Sequence, residues 1–199
     1  MNSLKNKDIA TDTSIFKAFQ SFFSPIIEKE LENSIPKPDV QEIEILENAL
    51  KHSLLNGGKR IRPLLTIASN SLFSENYKEI LPLCCALECI HTYGLIHDDL
   101  PAMDDDDFRR GKPTCHKQFG EDIAILAGDT LNTLAFEIIS SKLTHFDSKD
   151  IITVLTKVCK LTGFNGVVGG QIIDIQSHKI NPSEEILNHL HSKKTGALI

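Results

Sequence analysis

The segment from Ile80 to Leu100 is the most apolar stretch of the sequence, and it constrains the fold more than any other feature. Pro82 suits the first turn of a helix, and Pro101 ends the segment because the residue before a proline avoids the α region. Apolar residues lie on nearly every side of this predicted helix, which is typical of a helix buried all round. The sequence therefore predicts a central helix against which the rest of the chain packs.

Further helices are predicted on both sides of this segment from apolar residues at helical spacing. Asn56-Gly57-Gly58 suits the end of the second helix, and Pro63 suits the first turn of the third. Because no alternating strand of useful length and no repeat is present, the expected fold is an all-α bundle in a single domain covering residues 1–199. The predicted ranges are roughly 14–32 with a kink or break at Pro25, 41–55, 63–72, 80–100, 121–143 and 149–162. After them, Gly163, Gly166, Gly169 and Gly170 interrupt or crowd a helical pattern, and a last helix begins at Asn181-Pro182-Ser183-Glu184.

The negative charge of the chain is concentrated in one ten-residue window. The formal net charge is -6, and six aspartates lie between Asp98 and Asp107; the remaining 21 acidic residues equal the 21 Lys and Arg in number. A nucleic-acid partner is not expected, because binding to a polyanion needs a basic face. A disordered acidic chain is excluded as well, because 41% of the residues are hydrophobic.

The cysteines indicate a reducing compartment rather than a disulfide framework. Their number is odd, no pair forms a C-x-x-C motif, and no histidine completes a zinc pattern. We therefore expect reduced, buried thiols in a cytoplasmic protein. No run reaches the roughly 18 apolar residues of a membrane span, so no membrane-spanning segment is expected. The cysteines are Cys84, Cys85, Cys89, Cys115 and Cys159.

The acidic window begins where the predicted central helix ends. Asp98 and Asp99 lie at its carboxyl end, where free carbonyl groups already carry partial negative charge. A solvated acidic loop is the ordinary interpretation of a charge run. Here the run follows directly on the most apolar helix, and clustered, partly desolvated carboxylates indicate bound cations. Oxygen ligands of this kind suit Mg²⁺ that is completed by water and substrate phosphate.

Three other kinds of site are excluded or disfavoured by spacing. An EF-hand loop that starts at Asp104 lacks the glycine required at its sixth position, and a P-loop that ends at Lys59 lacks the Ser or Thr that must follow. A metal phosphohydrolase using His97 and Asp98 would need further histidine ligands, and the sequence offers no supporting pair.

Basic residues that suit phosphate lie in three separate parts of the sequence. Each alone is ordinarily a solvated surface charge, and arginines beside aspartates often form simple ion pairs. Beside a metal site, however, arginines that fork onto phosphate oxygens are what a bound diphosphate needs. His91 lies seven residues before Asp98, on the same face of an ideal helix, and is as consistent with a buried structural histidine as with a ligand contact. The basic residues are Lys59, Arg60, Arg62, Arg109, Arg110, Lys193 and Lys194.

Two long runs carry the most specific pattern: GGKRIRP from Gly57 to Pro63, and HTYGLIHDDLPAMDDDDFRRGKPTCH from His91 to His116. Both resemble the trans-isoprenyl diphosphate synthases, the polyprenyl synthetases, and the second run matches their first aspartate-rich motif. GGQIIDI from Gly169 and KTGALI from Lys194 also match, so the resemblance covers essentially the whole chain. It implies an all-α fold around a deep cavity, a homodimer, and head-to-tail joining of an allylic diphosphate to isopentenyl diphosphate.

The resemblance also implies a role for each matched residue. Mg²⁺, for which Mn²⁺ can substitute, would be bound by Asp98 and Asp104 with Asp99 close by. The implied catalytic set is Asp98, Asp99, Asp104, Arg109, Arg110 and Lys194. By the same resemblance, Arg109 contacts the allylic diphosphate, and Lys194 and Thr195 lie near that diphosphate and the developing cation. Gln171 and Asp174 would line the same cavity. The residues implied to hold isopentenyl diphosphate are Gly58, Lys59, Arg62, His91 and Arg110.

The length of the product is implied by the residues before the motif. In this family the residue five positions before the first aspartate helps to form the floor of the cavity; here it is Tyr93, followed by Gly94. A bulky residue there, with Pro101-Ala102 inserted in the motif, resembles bacterial farnesyl diphosphate synthases, whereas geranylgeranyl synthases with the insertion tend to have a smaller residue. On an ideal helix Tyr93 is turned about 140° away from Asp98, so spacing alone does not place it in the cavity.

The sequence departs from the family in one respect. The second aspartate-rich motif, which lies downstream of KTGALI, is absent from the 199 residues, whose last residues are apolar. We therefore expect the amino-terminal part of a longer enzyme, with a non-catalytic binding or partner subunit of the same fold as the alternative. The only other spaced pair, Asp147-Ser148-Lys149-Asp150, is interpreted as a helix N-cap.

Overall fold

Apolar residues at helical spacing form α-helices along most of the chain. The structure is a computed structural model that describes residues 4–177 and 182–199. Single turns of other helix types lie at Gln41–Ile43, Tyr77–Ile80, His191–Thr195 and Gly196–Leu198, and one antiparallel hairpin pairs β1 (Phe108–Arg109) with β2 (Lys112–Pro113). The α-helices of the described residues are α1 (Leu4–Ser34), α2 (Glu44–Leu54), α3 (Ile61–Asn70), α4 (Leu81–Asp98), α5 (Cys115–Phe119), α6 (Glu121–Lys142), α7 (Ser148–Thr162), α8 (Val167–Ser177) and α9 (Glu184–Leu190), which confirms the all-α class.

The predicted central helix is α4, and it is buried as its composition requires. Cys84 and Cys89 are fully buried and Ile90 is 1% exposed. α4 packs most extensively on α6 and also contacts α1, α2 and α3. Small residues on the buried face of α6 let the two helices approach closely. These residues are Ala124, Ala127, Gly128 and Ala135.

The first helix runs through Pro25 without a break, so of the predicted kink or break the break is wrong. Proline removes one backbone hydrogen bond and costs about 3 kcal/mol inside a helix. Packing on both sides of Pro25 offsets this cost: Phe23 contacts the Tyr77 ring at a centroid distance of 5.2 Å. After the proline, Ile27 and Leu31 are fully buried. α1 also begins ten residues earlier than the periodicity of the sequence indicated.

The start of the last helix lies two residues later than predicted. Its N-cap is Ser183, whose hydroxyl accepts a hydrogen bond from the Ile186 amide at 3.4 Å, and Pro182 precedes the cap rather than following it. Asn181, also predicted as a cap, lies outside the described residues. Asp147 occupies the N-cap position of α7 as interpreted, but its carbonyl rather than its side chain accepts the hydrogen bonds there.

All five cysteines are free thiols, and four of them are buried as predicted. Burial raises the pKa of the Cys84 and Cys89 thiols to about 12, so both are protonated at neutral pH. The prediction of burial is wrong for Cys159, which lies on the exposed side of α7.

Three helical stretches of the described residues are long and apolar enough to cross a membrane, judged by length and composition alone: Tyr77–Asp98, Glu121–Lys142 and Ser148–Ser177. In the first, half of the most apolar window is buried inside the structure, and in the second 44% is buried. The absence of a membrane span therefore stays a prediction.

Candidate active site

The carboxyl end of α4 opens into a cavity of about 360 Å³ that is also lined by α8 and by the turn His191–Thr195. The cavity brings together eight of the predicted site residues from four separate parts of the sequence. Its other lining residues are mostly apolar and include Ile90, Leu95, Val167 and Val168. The predicted residues that line it are Arg62, His91, Tyr93, Gly94, Asp98, Gln171, Lys194 and Thr195.

Asp98 is the last residue of α4, and its side chain is only 19% exposed. Burial raises the pKa of its carboxyl group to about 6, with a smaller contribution from Asp104, while the nearby Lys194 acts in the opposite direction. Asp104 is held close to Asp98 through the backbone, because the Asp104 amide donates a hydrogen bond to the Asp98 carbonyl at 2.8 Å. A carboxylate that is costly to ionise in the free protein is one that a bound cation would stabilise.

The lysine that faces Asp98 comes from the far end of the chain. Lys194 Nζ lies 2.5 Å from Asp174 Oδ2 and 3.8 Å from Asp98 Oδ2. Gln171, one turn before Asp174 on α8, has a buried Nε2 without a hydrogen-bond partner among the described residues. An unpartnered donor on the wall of a polar cavity is suited to a ligand oxygen.

Gly170 allows α8 to approach this lysine. A Cβ at Gly170 would lie 2.5 Å from the Lys194 amide nitrogen and 2.8 Å from its Cα. Of the two predicted effects of the glycines, interrupting or crowding a helix, Gly170 shows the second, because it lies inside α8 and against Lys194. The close approach explains why a glycine is needed there.

We expect Gly170→Ala to lower the free energy of unfolding by about 1–3 kcal/mol, because backbone on the facing segment must move to admit the methyl group. The matched control is Gly196→Ala, where the new Cβ would lie 3.5 Å from the His191 carbonyl oxygen, an ordinary contact. Urea denaturation of both variants measures the difference. Equal stabilities for the two variants would contradict the close approach.

A hairpin that the sequence did not predict positions the two arginines of the motif. Its two-residue loop is Arg110–Gly111, with φ of 53° and 80°. Two positive φ angles define the tight turn that matches the twist of paired strands. Asn56 Nδ2 donates to the Arg109 carbonyl at 3.0 Å, which fastens the hairpin to the end of α2.

The hairpin gives Asp99 an arginine as its partner. Arg109 Nε donates to Asp99 Oδ1 at 2.7 Å and to Oδ2 at 2.9 Å, and these hydrogen bonds raise the pKa of the guanidinium. Asp99 is 3% exposed and does not line the 360 Å³ cavity. Of the three aspartates predicted at the metal, Asp98 lines the cavity, whereas Asp99 binds Arg109 and Asp104 lies outside the lining.

The second arginine of the hairpin lies against the glycine turn. Arg110 Nη1 donates to the Gly57 carbonyl, and a Cβ at Gly58 would lie 2.6 Å from the same nitrogen. Gly58 has φ of 124°, which side-chain-bearing residues rarely adopt. Glycine at position 58 therefore serves both the turn and the approach of the arginine.

A second cavity, of about 590 Å³, adjoins the first and is mainly basic. Arg62 and His91 line both cavities, and Lys59 and Arg110 line the second. Arg62 Nε is buried without a hydrogen-bond partner among the described residues, and burial lowers the pKa of its guanidinium. Clustered, incompletely partnered guanidinium groups suit an anion with several oxygens, such as a diphosphate.

His91 is neutral in this basic surrounding. Burial, reinforced by Arg62 and Arg110, lowers the pKa of its imidazole to about 3. The ring therefore offers one donor and one acceptor nitrogen rather than a positive charge.

Arg60 belongs to the same turn, but it points into the protein. Its Nε lies 2.7 Å from Glu28 Oε1, its Nη1 lies 2.8 Å from Glu88 Oε1, and its Nη2 donates to the Leu54 carbonyl at 2.8 Å. It is 2% exposed. Arg60 therefore joins α1, α2 and α4 and fixes the turn that presents Lys59 and Arg62.

The sequence analysis considered His97 only as a ligand of the disfavoured phosphohydrolase, and it did not recognise Gly128. His97 lines the 360 Å³ cavity, and Gly128 on α6 lies directly behind its ring. Small residues recurring at helical spacing from Ala124 are the signal that would have indicated a close helix contact there. Nothing in the sequence pairs that contact with His97.

Among the residues that the structure describes, no group of three or more His, Cys, Asp and Glu side chains is close enough to hold a metal ion by itself. Mg²⁺ commonly binds through one or two carboxylates and takes its other ligands from water and substrate phosphate. Asp98, with Asp104 beside it, fits such a partial ligand set.

The chain is similar in sequence to known proteins. Residues 43–199 match the family described as polyprenyl synthetase. The chain is 47% identical over 175 residues to a geranylgeranyl diphosphate synthase of Cyanophora paradoxa, covering 87% of this chain and 57% of that protein. It is 45% identical over 151 residues to a farnesyl diphosphate synthase of Escherichia coli, and this match covers 75% of this chain and 50% of that protein.

A solved structure extends the match to the fold. The crystal structure of an FPP/GFPP synthase from Zymomonas mobilis superposes with a TM-score of 0.87 at 38% identity, covering 92% of this chain and 66% of that one. The chain thus spans about half the length of the relatives whose sequences it matches. With the family matched over residues 43–199 and the fold over 92% of the chain, the protein belongs to the polyprenyl synthetase family.

Proposed function

We propose that the protein is a Mg²⁺-dependent prenyltransferase, which joins an allylic diphosphate to isopentenyl diphosphate and releases diphosphate. One observation carries the proposal. A mainly apolar cavity lined by the desolvated carboxylate of Asp98 adjoins a basic cavity, and Arg62 and His91 line both. Two diphosphates and a hydrocarbon chain would each find a matching surface in this arrangement.

The residues of the chain have distinct tasks in this reaction. Asp98 and Asp104 would hold Mg²⁺, which when bound stabilises negative charge on the leaving diphosphate. Lys194, 3.8 Å from Asp98 Oδ2, donates to an oxygen of the same diphosphate as its bond to the allylic carbon breaks. Arg62 and Arg110 orient the second diphosphate in the basic cavity.

The apolar walls serve the carbon chemistry. The double bond of isopentenyl diphosphate attacks the allylic carbocation, a new carbon–carbon bond forms, and one proton is lost. Ile90, Leu95 and Val168 line the cavity and keep water away from the cation.

We propose farnesyl diphosphate as the product, made from dimethylallyl or geranyl diphosphate. The location of Tyr93 supports this, because its ring lines the same cavity as Asp98. Geranylgeranyl diphosphate is the second candidate, and the 47% identity to a geranylgeranyl diphosphate synthase favours it. A Cβ at Gly94 would meet nothing within 4 Å, so this glycine leaves space that a longer chain would use.

Tyr93→Ala is expected to lengthen the main product by one or more five-carbon units, because truncation removes the largest side chain from the proposed floor. Analysis of the extracted prenols by chromatography measures the shift. The matched control is Tyr77→Ala, since Tyr77 contacts Phe23 and lies next to the amino end of α4, the opposite end from Asp98. A Tyr93→Ala enzyme that still stops at the wild-type length would remove Tyr93 from the floor.

We further propose a cytoplasmic homodimer. Free thiols at all five cysteines support the compartment. Exposed apolar residues support an assembly: Phe164 is 89% exposed, Ile152 is 63% exposed and Leu126 is 53% exposed. The alternative is a non-catalytic subunit of the same fold.

The test is incubation with Mg²⁺, labelled isopentenyl diphosphate and either dimethylallyl or geranyl diphosphate, followed by prenol extraction. The 199-residue chain and any longer product of the same gene are assayed side by side. Labelled prenols from either form support the prenyltransferase. Their absence from both, with the proteins folded, leaves the non-catalytic subunit.

A further inference from the structure

One histidine in the cavity has no task in the chemistry above, yet its position is closely defined. His97 directly precedes Asp98 and lines the 360 Å³ cavity. Its Nε2 lies 3.1 Å from the Ile125 carbonyl oxygen of α6. Because a carbonyl oxygen only accepts, Nε2 is the protonated nitrogen of this ring. The hydrogen bond ties the end of α4 to α6.

The neighbouring helix leaves room for the ring. Gly128 is buried in α6, and a Cβ built there would collide with His97 Nε2 and lie 2.5 Å from Cδ2. The imidazole thus occupies the volume that any other side chain at position 128 would need. With Gly128 behind it and the Ile125 carbonyl bonded to it, the ring has little freedom to retreat towards α6.

The free side of the imidazole meets the proposed floor of the cavity. The Tyr93 and His97 rings are one helical turn apart on α4, with centroids 5.6 Å apart and planes at 86°. This edge-to-face arrangement is a favourable aromatic contact. A displacement of His97 is therefore passed directly to Tyr93.

We propose that His97, wedged against Gly128, is a positioning residue that sets how far Tyr93 projects into the cavity and thereby sets product length. This rests on the proposed prenyltransferase function with Tyr93 at the floor. The substrate property that it governs is the number of five-carbon units that the apolar cavity admits.

The geometry predicts that two variants change the length of the product in opposite directions. Gly128→Ala pushes the imidazole off α6 and the tyrosine further into the cavity, so the product becomes shorter. His97→Ala removes the support and lets Tyr93 turn towards α6, so the product becomes longer. In the double variant the methyl group added at position 128 partly refills the space left by the imidazole, and the distribution returns towards the wild type.

The first measurement is the ratio of prenol lengths. Either single variant should change it by at least about tenfold, the effect that one methylene commonly has on discrimination in an apolar pocket. The control is Thr133→Ala, an exposed position on α6 whose hydroxyl only bonds the Asp129 carbonyl of its own helix. A merely structural role for His97 would lower turnover or stability and leave the ratio unchanged.

The second measurement needs no turnover. The sequence contains two tyrosines, so fluorotyrosine-labelled protein gives two ¹⁹F resonances, and Tyr77→Phe assigns that of Tyr93. Gly128→Ala and His97→Ala should each shift the Tyr93 resonance, and Thr133→Ala should not. An unmoved Tyr93 resonance, or unchanged prenol ratios in both variants of an active enzyme, overturns the inference. An inactive wild-type protein with shifted resonances counts against the prenyltransferase but not against the positioning contact.

Discussion

Asp98→Asn is expected to abolish turnover and, at the same time, to make the metal-free protein more stable. The carboxylate supplies charge at the predicted Mg²⁺ site, and removing one electrostatic contact of this kind commonly costs about 10²–10³-fold in rate. Asparagine keeps the size and shape of the side chain, so packing at the end of α4 is retained. Prenol yield per unit time measures the first effect.

The gain in stability follows from the direction of the pKa shift. Burial raises the pKa of Asp98 to about 6 in the folded protein, above the value of about 3.9 for an exposed aspartate. Between these values the folded state holds a proton that the unfolded state has released, so stability falls as the pH rises and levels off above about pH 6. Asparagine removes this penalty, which is at most about 3 kcal/mol.

Urea denaturation in EDTA at pH 4 and pH 7.5 separates these statements. The stabilities of wild type and Asp98→Asn should converge at pH 4, and the variant should be the more stable at pH 7.5. Asp39→Asn, at an exposed position in the loop after α1, should have the stability of the wild type at both pH values. A variant that is less stable at pH 7.5 would mean that Asp98 is stabilised by its contact with Lys194 rather than strained by burial.

Arg60→Met is expected to lower the free energy of unfolding by about 3–5 kcal/mol, because it leaves the buried Glu88 without its partner. Glu88 is 2% exposed, and its Oε1 lies 2.8 Å from Arg60 Nη1. The matched control is Lys37→Met, which removes an ion pair with Glu47 at 2.8 Å. The Lys37 side chain is 72% exposed. Exposed pairs of that kind contribute about 0–1 kcal/mol.

A double variant tests the reason for the loss. Arg60→Met with Glu88→Leu removes both buried charges and should recover much of the stability, because apolar residues often replace a buried ion pair at little cost. Chemical denaturation of the single, double and control variants measures these differences. A single variant that loses no more than Lys37→Met would mean that water reaches Glu88.

The positions of the helices follow from the sequence more closely than their boundaries do. The run from Ile80 to Leu100 predicts α4 because burial on all sides demands apolar residues on every face. Pro25 misled the prediction because its cost is local, whereas the packing of Ile27 and Leu31 that offsets it is a tertiary effect.

The angle between Tyr93 and Asp98 shows a limit of helical geometry. About 140° separates the two residues on an ideal helix, yet both line one cavity. The cavity surrounds the end of α4, because α8 and the turn that carries Lys194 close it from another side. Only the tertiary arrangement of those later segments could show this.

Sequence patterns could not predict the hairpin or the inward orientation of Arg60. Strands of two residues give no alternation, and Arg110–Gly111 lacks the Asn-Gly or Asp-Gly signal of a tight hairpin turn. Arg60 adopts φ of 50°, which turns it away from its neighbours Lys59 and Arg62. The sequence places these three basic residues together, and only the backbone conformation assigns them different tasks.

The central claim is that Asp98 binds one diphosphate through Mg²⁺ and that the adjoining basic cavity binds a second diphosphate without the metal. Titration calorimetry with inorganic pyrophosphate tests it most directly, with and without Mg²⁺, on the wild type and on Asp98→Asn. The wild type should bind pyrophosphate more tightly when Mg²⁺ is present, and Asp98→Asn should lose this enhancement while keeping the Mg²⁺-independent binding by Arg62 and Arg110. Wild-type binding that is unaffected by Mg²⁺, or an enhancement that survives in Asp98→Asn, would contradict the claim.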